Sequence, residues 1–181
     1  MTAYANNYAA QQARRWLESR PVFLDTETTG LTDQSEIVEI SILDTNGEVL
    51  LDTLVRPRRS IPPDAVRIHG IRDEMVANAP SWLLVWPQVE AILQGRAVGI
   101  YNADFDLRMF RQTHRLSGLP WRAPEMQPFC IMRLYSDFRG TSRFQSLEVA
   151  GRQLGIPLPN AHRARADTAL ARAVLLRMAG Q

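Results

Sequence analysis

The sequence contains no lysine, only one cysteine and no long apolar run. All 21 basic residues of the 181-residue chain are arginines, set against 19 acidic residues. The lone Cys130 cannot form an internal disulfide bond. No segment has the ~18 consecutive apolar residues of a membrane span, and the first residues lack the pattern of a secretory signal. We therefore expect a protein of a reducing, cytoplasmic compartment with no membrane partner.

The exclusive use of arginine has two interpretations. It is typical of a genome biased toward arginine codons. It also suits phosphate binding, because the planar guanidinium group donates two parallel hydrogen bonds. The net charge of +2 is too small to distinguish between them, so composition alone does not identify a nucleic-acid-binding protein.

The length and the 45% hydrophobic content fit one domain with a single core. We assign residues 1–20 to an N-terminal extension and residues 21–181 to the main domain. The extension contains a predicted short amphipathic helix at about residues 11–19, whose Trp16 and Leu17 should dock on the domain. The sequence allows two roles for this helix, which are packing on the sheet and a homodimer contact.

The hydrophobic pattern predicts an α/β domain. Apolar runs and alternation predict strands at 22–27, 37–44, 49–55 and 97–102. Helical periodicity predicts helices at 80–93, 104–116, 130–137, 146–154 and 163–178. Asn46-Gly47 predicts a two-residue hairpin, Pro87 should kink or break its helix, and the proline-rich segment 57–64 should be a loop. A strand meander followed by alternating helices and strands indicates a mixed sheet.

Two acids lie one residue apart in the segment FLDTETTG (23–30). Side chains alternate faces along a strand, so Asp25 and Glu27 should crowd one another on one face. Neighbouring carboxylates repel, and one is pushed toward protonation unless a positive group lies between them. The alternative is an exposed strand end with solvated charges.

Two further segments place acids beside helix starts. In NADFD (102–106), Asp106 lies in the first turn of a helix that follows a strand, where α/β folds bind ligands, although the helix dipole alone also favours an acid there. In NAHRARAD (160–167), Asn160 is a candidate cap, His162 precedes the last helix and Asp167 lies within it. Asp167 needs a positive partner, which an arginine of the same segment or a metal could supply.

Taken together, the four carboxylates and the histidine indicate metal-dependent phosphodiester chemistry. Oxygen ligands suit Mg²⁺ or Mn²⁺, and two such ions can clamp a phosphodiester and offset four carboxylates. A histidine near the site can take a proton from the attacking water at neutral pH.

With these motifs the chain resembles a known family, the DnaQ-like 3′–5′ exonucleases of the histidine branch called DEDDh. DTETTG, NADFD and HRARAD are similar to its three motifs in order and spacing. The segments VRIHGIRDEMV (66–76) and SLEVAGRQLGI (146–156) are also similar to the family. The resemblance covers residues 21–178.

The resemblance implies an α/β, ribonuclease H-like fold, with a five-stranded mixed sheet of order 3-2-1-4-5 flanked by helices. It implies Asp25, Glu27, Asp106 and Asp167 as ligands of two divalent ions, and His162 as the general base. It also implies that the 3′-terminal nucleotide is bound by Thr28, Thr29, Leu31, Ile68, His69, Asn102 and Phe105. For three of these the residues alone allow other roles: Phe105 as core, Leu31 as a plain loop contact and His69 as a structural residue.

Two positions depart from the family pattern. Arg165 stands where relatives often have an apolar residue, and we expect it to point away from the metal ligands. Tyr101 stands where several relatives have histidine, which should alter the rim of the pocket but not the acids.

The predicted function is removal of nucleotides from the 3′ end of single-stranded DNA by a free-standing enzyme of repair or proofreading type. The alternatives are an exoribonuclease, a dinucleotide phosphodiesterase and a protein that only binds nucleic-acid ends. No polymerase-binding tail is evident after the last helix. Arg108 and Arg111, on the helix of Asp106, are better placed to meet the strand behind the scissile bond than the cluster Arg56, Arg58 and Arg59, which could steer DNA or form a solvated loop.

Overall fold

The computed structural model describes residues 2–158 and 162–181, with side chains from residue 7 onward. The strands are β1 (Val22–Thr28), β2 (Ile37–Leu43), β3 (Val49–Leu54), β4 (Ala97–Ile100) and β5 (Gln127–Cys130). The helices are α1 (Thr2–Glu18), α2 (Pro63–His69), α3 (Asp73–Val76), α4 (Trp82–Leu93), α5 (Ala103–Leu116), α6 (Ile131–Arg139), α7 (Leu147–Gln153) and α8 (Ala164–Ala179). No helix among these is both long and apolar enough to cross a membrane.

The five strands form one mixed sheet in the order β3-β2-β1-β4-β5. β1 pairs antiparallel with β2 and parallel with β4, while β2–β3 is antiparallel and β4–β5 is parallel. This order confirms the predicted fold. It also makes β1, the strand with the two acids, the centre of the sheet.

The two faces of the sheet are covered by different helices. On one face, α4 and α5 pack on β1 and β2, and Trp82 and Trp86 are buried in that core. On the other face, Phe23 packs with residues of α1, α6 and α8. Because side chains alternate along β1, Asp25 and Glu27 share the face of Phe23 and point toward α8.

The N-terminal helix is longer than predicted. It begins at Thr2 rather than near residue 11. Its buried stripe is made of Ala9, Ala13 and Leu17, and small residues give a weak periodic signal although they allow close packing. Trp16 stacks on Phe129 with ring centroids 4.3 Å apart, which confirms the predicted docking.

The predicted two-residue hairpin was wrong, and α4 is not broken at its proline. The β2–β3 hairpin has a five-residue connection, 44–48, in which Gly47 has a φ of 92° and its N–H donates to the Asp44 carbonyl. Helix α4 continues through Pro87. Pro87 is exposed, so the ring and the lost hydrogen bond lie on the solvent side, while the buried Trp82 and Trp86 hold the helix by packing.

Two short helices were missed, and the fifth strand that the resemblance implies was not located. Helix α2 begins at Pro63, with Pro62 at its N-cap, because proline suits a first helical turn as well as a loop. The four-residue helix α3 follows it. β5 contains Pro128, which is tolerated because β5 is an edge strand, and residue 130 ends this strand instead of starting a helix.

Candidate active site

Three carboxylates meet where β1 faces the start of α8. Asp25 and Glu27 come from β1, and Asp167 comes from the first turn of α8. One carboxylate oxygen from each of the three lies within 4.8 Å of the others. Helix α8 packs directly on β1 and β2, which brings Asp167 to the strand pair.

The fourth acid, Asp106, enters from the first turn of α5. It is only 3% exposed, and its Oδ1 accepts a hydrogen bond from Thr26 Oγ1 at 2.7 Å. Asp106 lies outside the close group of three, but its charge is one of the causes that raise the pKa of Asp25. The structure therefore brings all four predicted acids to one end of the sheet.

The burial and crowding of the four acids disfavour their ionisation. Burial, followed by the charges of Asp106, Glu27 and Asp167, raises the pKa of Asp25 well above its usual value. Burial and the Asp167 charge raise the pKa of Glu27 to about 8, and burial raises that of Asp106 to about 7. The pKa of Asp167 is also raised by burial, although His162 opposes the shift.

This donor set fits hard divalent cations. Clustered carboxylate oxygens without nitrogen or sulfur donors are typical of Mg²⁺ and Mn²⁺ sites. Burial raises the pKa of all three groups, and repulsion between the carboxylates adds to the shift for Asp25 and Glu27, so the charged forms are disfavoured in the fold. A bound cation would favour those charged forms.

The metal-free protein is expected to lose stability as the pH rises from about 5 to about 8. In the fold the pKa of Glu27 is about 8, against an ordinary value of 4.5. Between these values the folded state binds more protons than the unfolded state. The free energy of unfolding therefore falls with pH, by up to about 1.4 kcal/mol per unit for one group. Asp106, with a pKa of about 7, acts in the same direction.

Urea unfolding in EDTA at pH 5, 6.5 and 8 measures this dependence. The same series with saturating Mg²⁺ is the control, and its slope should be flatter because the ions favour the charged carboxylates. Equal free energies of unfolding at pH 5 and pH 8 in EDTA would contradict the crowded site.

An ion pair between the buried Glu39 and the partly exposed Arg163 lies beside the carboxylates and holds the start of α8. Glu39 lies opposite Glu27 in the β1–β2 register and is buried. Arg163 Nε donates to both Glu39 carboxylate oxygens at 3.0 Å, and the Ala164 backbone N–H donates to Oε2 at 2.9 Å. This pair ties β2 to the turn before Asp167, and Arg163 offsets part of the rise that the Glu39 charge causes in the pKa of Glu27. Sequence reasoning missed the role of Glu39, although an acid in the buried strand IVEISIL was a signal.

The neighbouring arginine on α8 points away from the acids. Arg165 Nη1 lies 3.9 Å from Asp52 Oδ2 at the β3 edge, and its side chain is 63% exposed. The structure agrees with the predicted outward orientation of Arg165.

Replacing Arg163 by alanine should destabilise the protein by about 3 kcal/mol, because it leaves the buried Glu39 charge without its cation. Arg165→Ala is the matched control, and loss of its exposed pair with Asp52 should cost less than about 1 kcal/mol. Urea unfolding in EDTA at pH 7 compares the two variants. Equal free energies of unfolding for the two would refute the anchoring role of the Glu39–Arg163 pair.

His162 lies between two carboxylates. Its Nδ1 is 3.5 Å from Asp167 Oδ2, and its Nε2 is 3.2 Å from Glu148 Oε1 on α7. The Tyr101 hydroxyl donates to the Gln145 carbonyl at 2.9 Å, which ties the end of β4 to the start of α7. Glu148 was not predicted as a site residue. The observed N-cap of α8 is Arg163, and Asn160 lies outside the described residues.

A cavity of about 480 Å³ opens beside the acids. Its lining includes six of the seven predicted nucleotide-binding residues, namely Thr28, Thr29, Leu31, Ile68, His69 and Phe105. Leu31 and Ile68 are 74% and 62% exposed, so two apolar side chains stand at the mouth. Asn102 is exposed at the start of α5 and does not line this cavity.

His69 uses both ring nitrogens within the fold. Nδ1 accepts from the Ile71 N–H at 3.0 Å, so Nε2 carries the proton and donates to the Thr28 carbonyl at 3.2 Å. Burial lowers the pKa of His69, which favours this neutral form. The ring thereby joins α2 to the end of β1 and shapes the cavity wall.

Comparisons with known proteins identify the family of this chain. Residues 22–175 match the family model RNase T, described as exonuclease. An uncharacterized exonuclease of Escherichia phage 186 is 40% identical over 178 residues, covering 90% of this chain and 89% of that protein. A DNA polymerase III subunit epsilon-like protein of Rhodobacter capsulatus is 34% identical over 167 residues, covering 87% of this chain but 23% of that protein.

Solved structures give the same architecture. Exonuclease X in complex with 5′ overhanging duplex DNA is 31% identical, with a TM-score of 0.66, and the match covers 88% of this chain and 90% of that one. The nuclease domain of 3′hExo, a DEDDh family member bound to rAMP, has a TM-score of 0.76 over 88% of this chain and 91% of that one. At 19% identity the second likeness supports the fold alone.

Proposed function

The chain belongs to the RNase T family of DnaQ-like 3′–5′ exonucleases, and we propose that it removes nucleotides from the 3′ end of single-stranded DNA with two divalent ions and a histidine base. The observation that carries the proposal is the cluster of Asp25, Glu27 and Asp167 beside a cavity of the size of small-ligand sites. A nucleotide in the cavity would have its 5′ phosphate at the cluster.

Asp25, Glu27, Asp106 and Asp167 would hold the ions. When bound, Mg²⁺ or Mn²⁺ supplies positive charge that stabilises the phosphodiester and makes water more acidic. Thr26 keeps Asp106 in place through its hydroxyl. Arg163, fixed by Glu39, keeps the first turn of α8 and therefore Asp167 against β1.

His162 is proposed to take the proton of the attacking water. It precedes α8, and its ring lies against Asp167 while its side chain remains about half exposed. An imidazole there is accessible to water and substrate, and histidine suits proton transfer at neutral pH. The contact of Nε2 with Glu148 limits the rotation of the ring.

The terminal nucleotide is proposed to be held by the cavity walls. Leu31, Ile68 and Phe105 offer apolar surface to the base, and such contacts tolerate every base. Thr28 and Thr29 line the cavity next to Glu27, where the sugar and phosphate would lie. Asn102 would contact the substrate only outside this cavity.

We propose DNA rather than RNA as the substrate because several similar proteins are bound to DNA or are named as DNA polymerase III proteins. The exonuclease X structure contains DNA, and the relatives at 30–40% identity include DNA polymerase III proteins. An exoribonuclease is the second candidate. The test is a gel that follows 5′-labelled single-stranded DNA and RNA of equal sequence, with Mn²⁺ and with EDTA.

The expected result is a ladder that shortens from the 3′ end, faster for DNA and only with metal. A faster RNA lane would assign the enzyme to RNA. Absence of shortening of both strands, with dinucleotides cleaved, would replace the proposal by a dinucleotide phosphodiesterase. Binding of labelled ends without any cleavage would make the protein an end-binding module.

A further inference from the structure

Helix α1 precedes the part of the chain that matches the exonuclease family, and the proposed reaction gives it no role. The family match begins at residue 22, and α1 ends at Glu18. The buried residues of α1 form one stripe that packs on the domain. Another stripe, made of Tyr8, Gln12 and Trp16 at intervals of four residues, lines a cavity. Helix α1 therefore contributes to an open site as well as to packing.

The direction of α1 brings the first residue of this stripe to the acid end of the sheet. Only three residues join α1 to β1, so the helix runs back antiparallel to the strand. Trp16 stacks on Phe129, which lies in one cross-strand row with Phe23. From Trp16 back to Tyr8 the helix rises about 12 Å, and from Phe23 to Glu27 the strand rises about 13 Å. Tyr8 is therefore about level with the acids.

The cavity faced by this stripe lies between α1, β5 and the starts of α5 and α6, and its volume is about 430 Å³. We call it the α1 cavity. Five of its lining residues supply aromatic or aliphatic surface, namely Tyr8, Trp16, Leu107, Pro128 and Leu134. Tyr8 is 61% exposed, so the fold leaves much of its ring uncovered. An exposed aromatic ring beside apolar walls suits a flat aromatic ligand.

The polar lining of the α1 cavity is rich in hydrogen-bond acceptors. Asp104 and Asp137 contribute carboxylates, and Gln12 contributes an amide. Arg133, which also lines the cavity, is paired with Asp104. Carboxylates repel a phosphate, whereas the amino groups of nucleobases donate hydrogen bonds to them. The lining therefore favours a nucleobase whose sugar–phosphate backbone stays outside the cavity.

The geometry of the proposed reaction, on which this inference rests, indicates which base can reach the α1 cavity. In an in-line displacement the attacking water and the leaving 3′ oxygen lie on opposite sides of the phosphorus. His162 lies against Asp167 on the side of the water, whereas Asp106 lies outside the close group of three acids and enters from the start of α5. The retained strand therefore begins on the side of Asp106. Asp104, two residues before Asp106, lines the α1 cavity.

We propose that the α1 cavity binds one base of the retained DNA strand, upstream of the scissile bond, through contact with Tyr8 and Trp16. The volume agrees with one nucleoside, because it lies toward the low end of the ~300–1,000 Å³ typical of small-ligand sites. Stacking tolerates every base, since each has an aromatic face. The acceptors add a preference for bases with an amino group, so thymine should bind least well.

The test uses a 5′-labelled DNA strand in which one abasic nucleotide is moved from the second to the sixth position from the 3′ end. For the unmutated protein, one position should raise KM by about five- to hundredfold, the effect of one lost base stack. Tyr8→Ala should raise KM for the intact strand and lose most of the sensitivity to the abasic nucleotide at that position. Tyr8→Phe keeps the ring and should behave like the unmutated protein.

The matched control is Leu84→Ala, which removes an apolar side chain of similar exposure, 64%, from α4. Its KM should stay within about twofold of the unmutated value, because α4 packs on the other face of the sheet. A Tyr8→Ala protein indistinguishable from this control would overturn the inference and leave the cavity to a protein partner.

A second outcome would also overturn it. If the effects of Tyr8→Ala and of the abasic nucleotide multiply at every position, the base that matters does not contact Tyr8. No digestion of the intact strand by the unmutated protein would instead contradict the proposed exonuclease function.

Discussion

Asp25→Ala is expected to lower the rate of 3′-end digestion by at least about 10³-fold while raising the thermal midpoint of the metal-free protein. The loss of rate follows from the position of Asp25 in the close group with Glu27 and Asp167. The gain in stability follows from burial and from the repulsion by Asp106, Glu27 and Asp167, which raise the pKa of Asp25. Removing a carboxylate whose charge is disfavoured relieves both costs.

Initial rates on a labelled oligonucleotide with Mn²⁺ and thermal midpoints in EDTA measure the two effects. Asp52→Ala is the matched control. Asp52 on β3 pairs with Ser41 on β2, and Ser41 pairs with Asp25 on β1, so the three residues are cross-strand neighbours. Asp52→Ala should retain nearly full activity. A lower midpoint for Asp25→Ala in EDTA would count against a strained metal-free site, and a rate near that of the unmutated protein would remove Asp25 from catalysis.

His162→Ala is expected to reduce kcat by about 10²- to 10⁴-fold, the range typical of a lost general base. Metal affinity should be largely retained, since four carboxylates remain. Calorimetric titration with Mn²⁺ measures the affinity, and single-turnover digestion measures the rate. A loss of metal affinity equal to the loss of rate would show that His162 supports the ions and is not the base.

Two controls separate proton transfer from packing. Added imidazole should restore part of the rate of His162→Ala, because the exposed side chain leaves an accessible space, and should not accelerate Asp25→Ala. Glu148→Gln keeps the imidazole and removes only one of its two carboxylate neighbours, so its rate should fall far less than that of His162→Ala.

Much of the site was predictable because it depends on local periodicity. The two-residue period of a strand places Asp25 and Glu27 on one face, and the sequence order places Asp106 and Asp167 at helix starts. The resemblance to DnaQ-like exonucleases gave the sheet order that the structure confirms. Helices α4, α5 and α8 and the first three strands were predicted within a few residues of their observed ends.

The elements that were missed lack a strong local signal. Among the described side chains of α1, the buried ones include Ala9 and Ala13, and such small side chains do not form a conspicuous apolar stripe. β5 and the start of α2 contain prolines. In a sequence, proline predicts the end of a helix or strand unless neighbouring elements tolerate its missing N–H group. The formation of these missed elements depends on what packs beside them.

The sequence by itself determined the exonuclease family of this protein and was enough to predict four acids that the structure brings to one end of the sheet, because these acids stand at strand and helix positions that local periodicity fixes. Only the tertiary structure decided the partners of the charged residues. Glu39 and Arg163 are 124 residues apart and form one ion pair. Glu148 reaches His162 from another helix, and Arg165 faces Asp52 instead of the acids. Such pairings depend on distances between elements that are remote in the chain, and no local pattern encodes those distances.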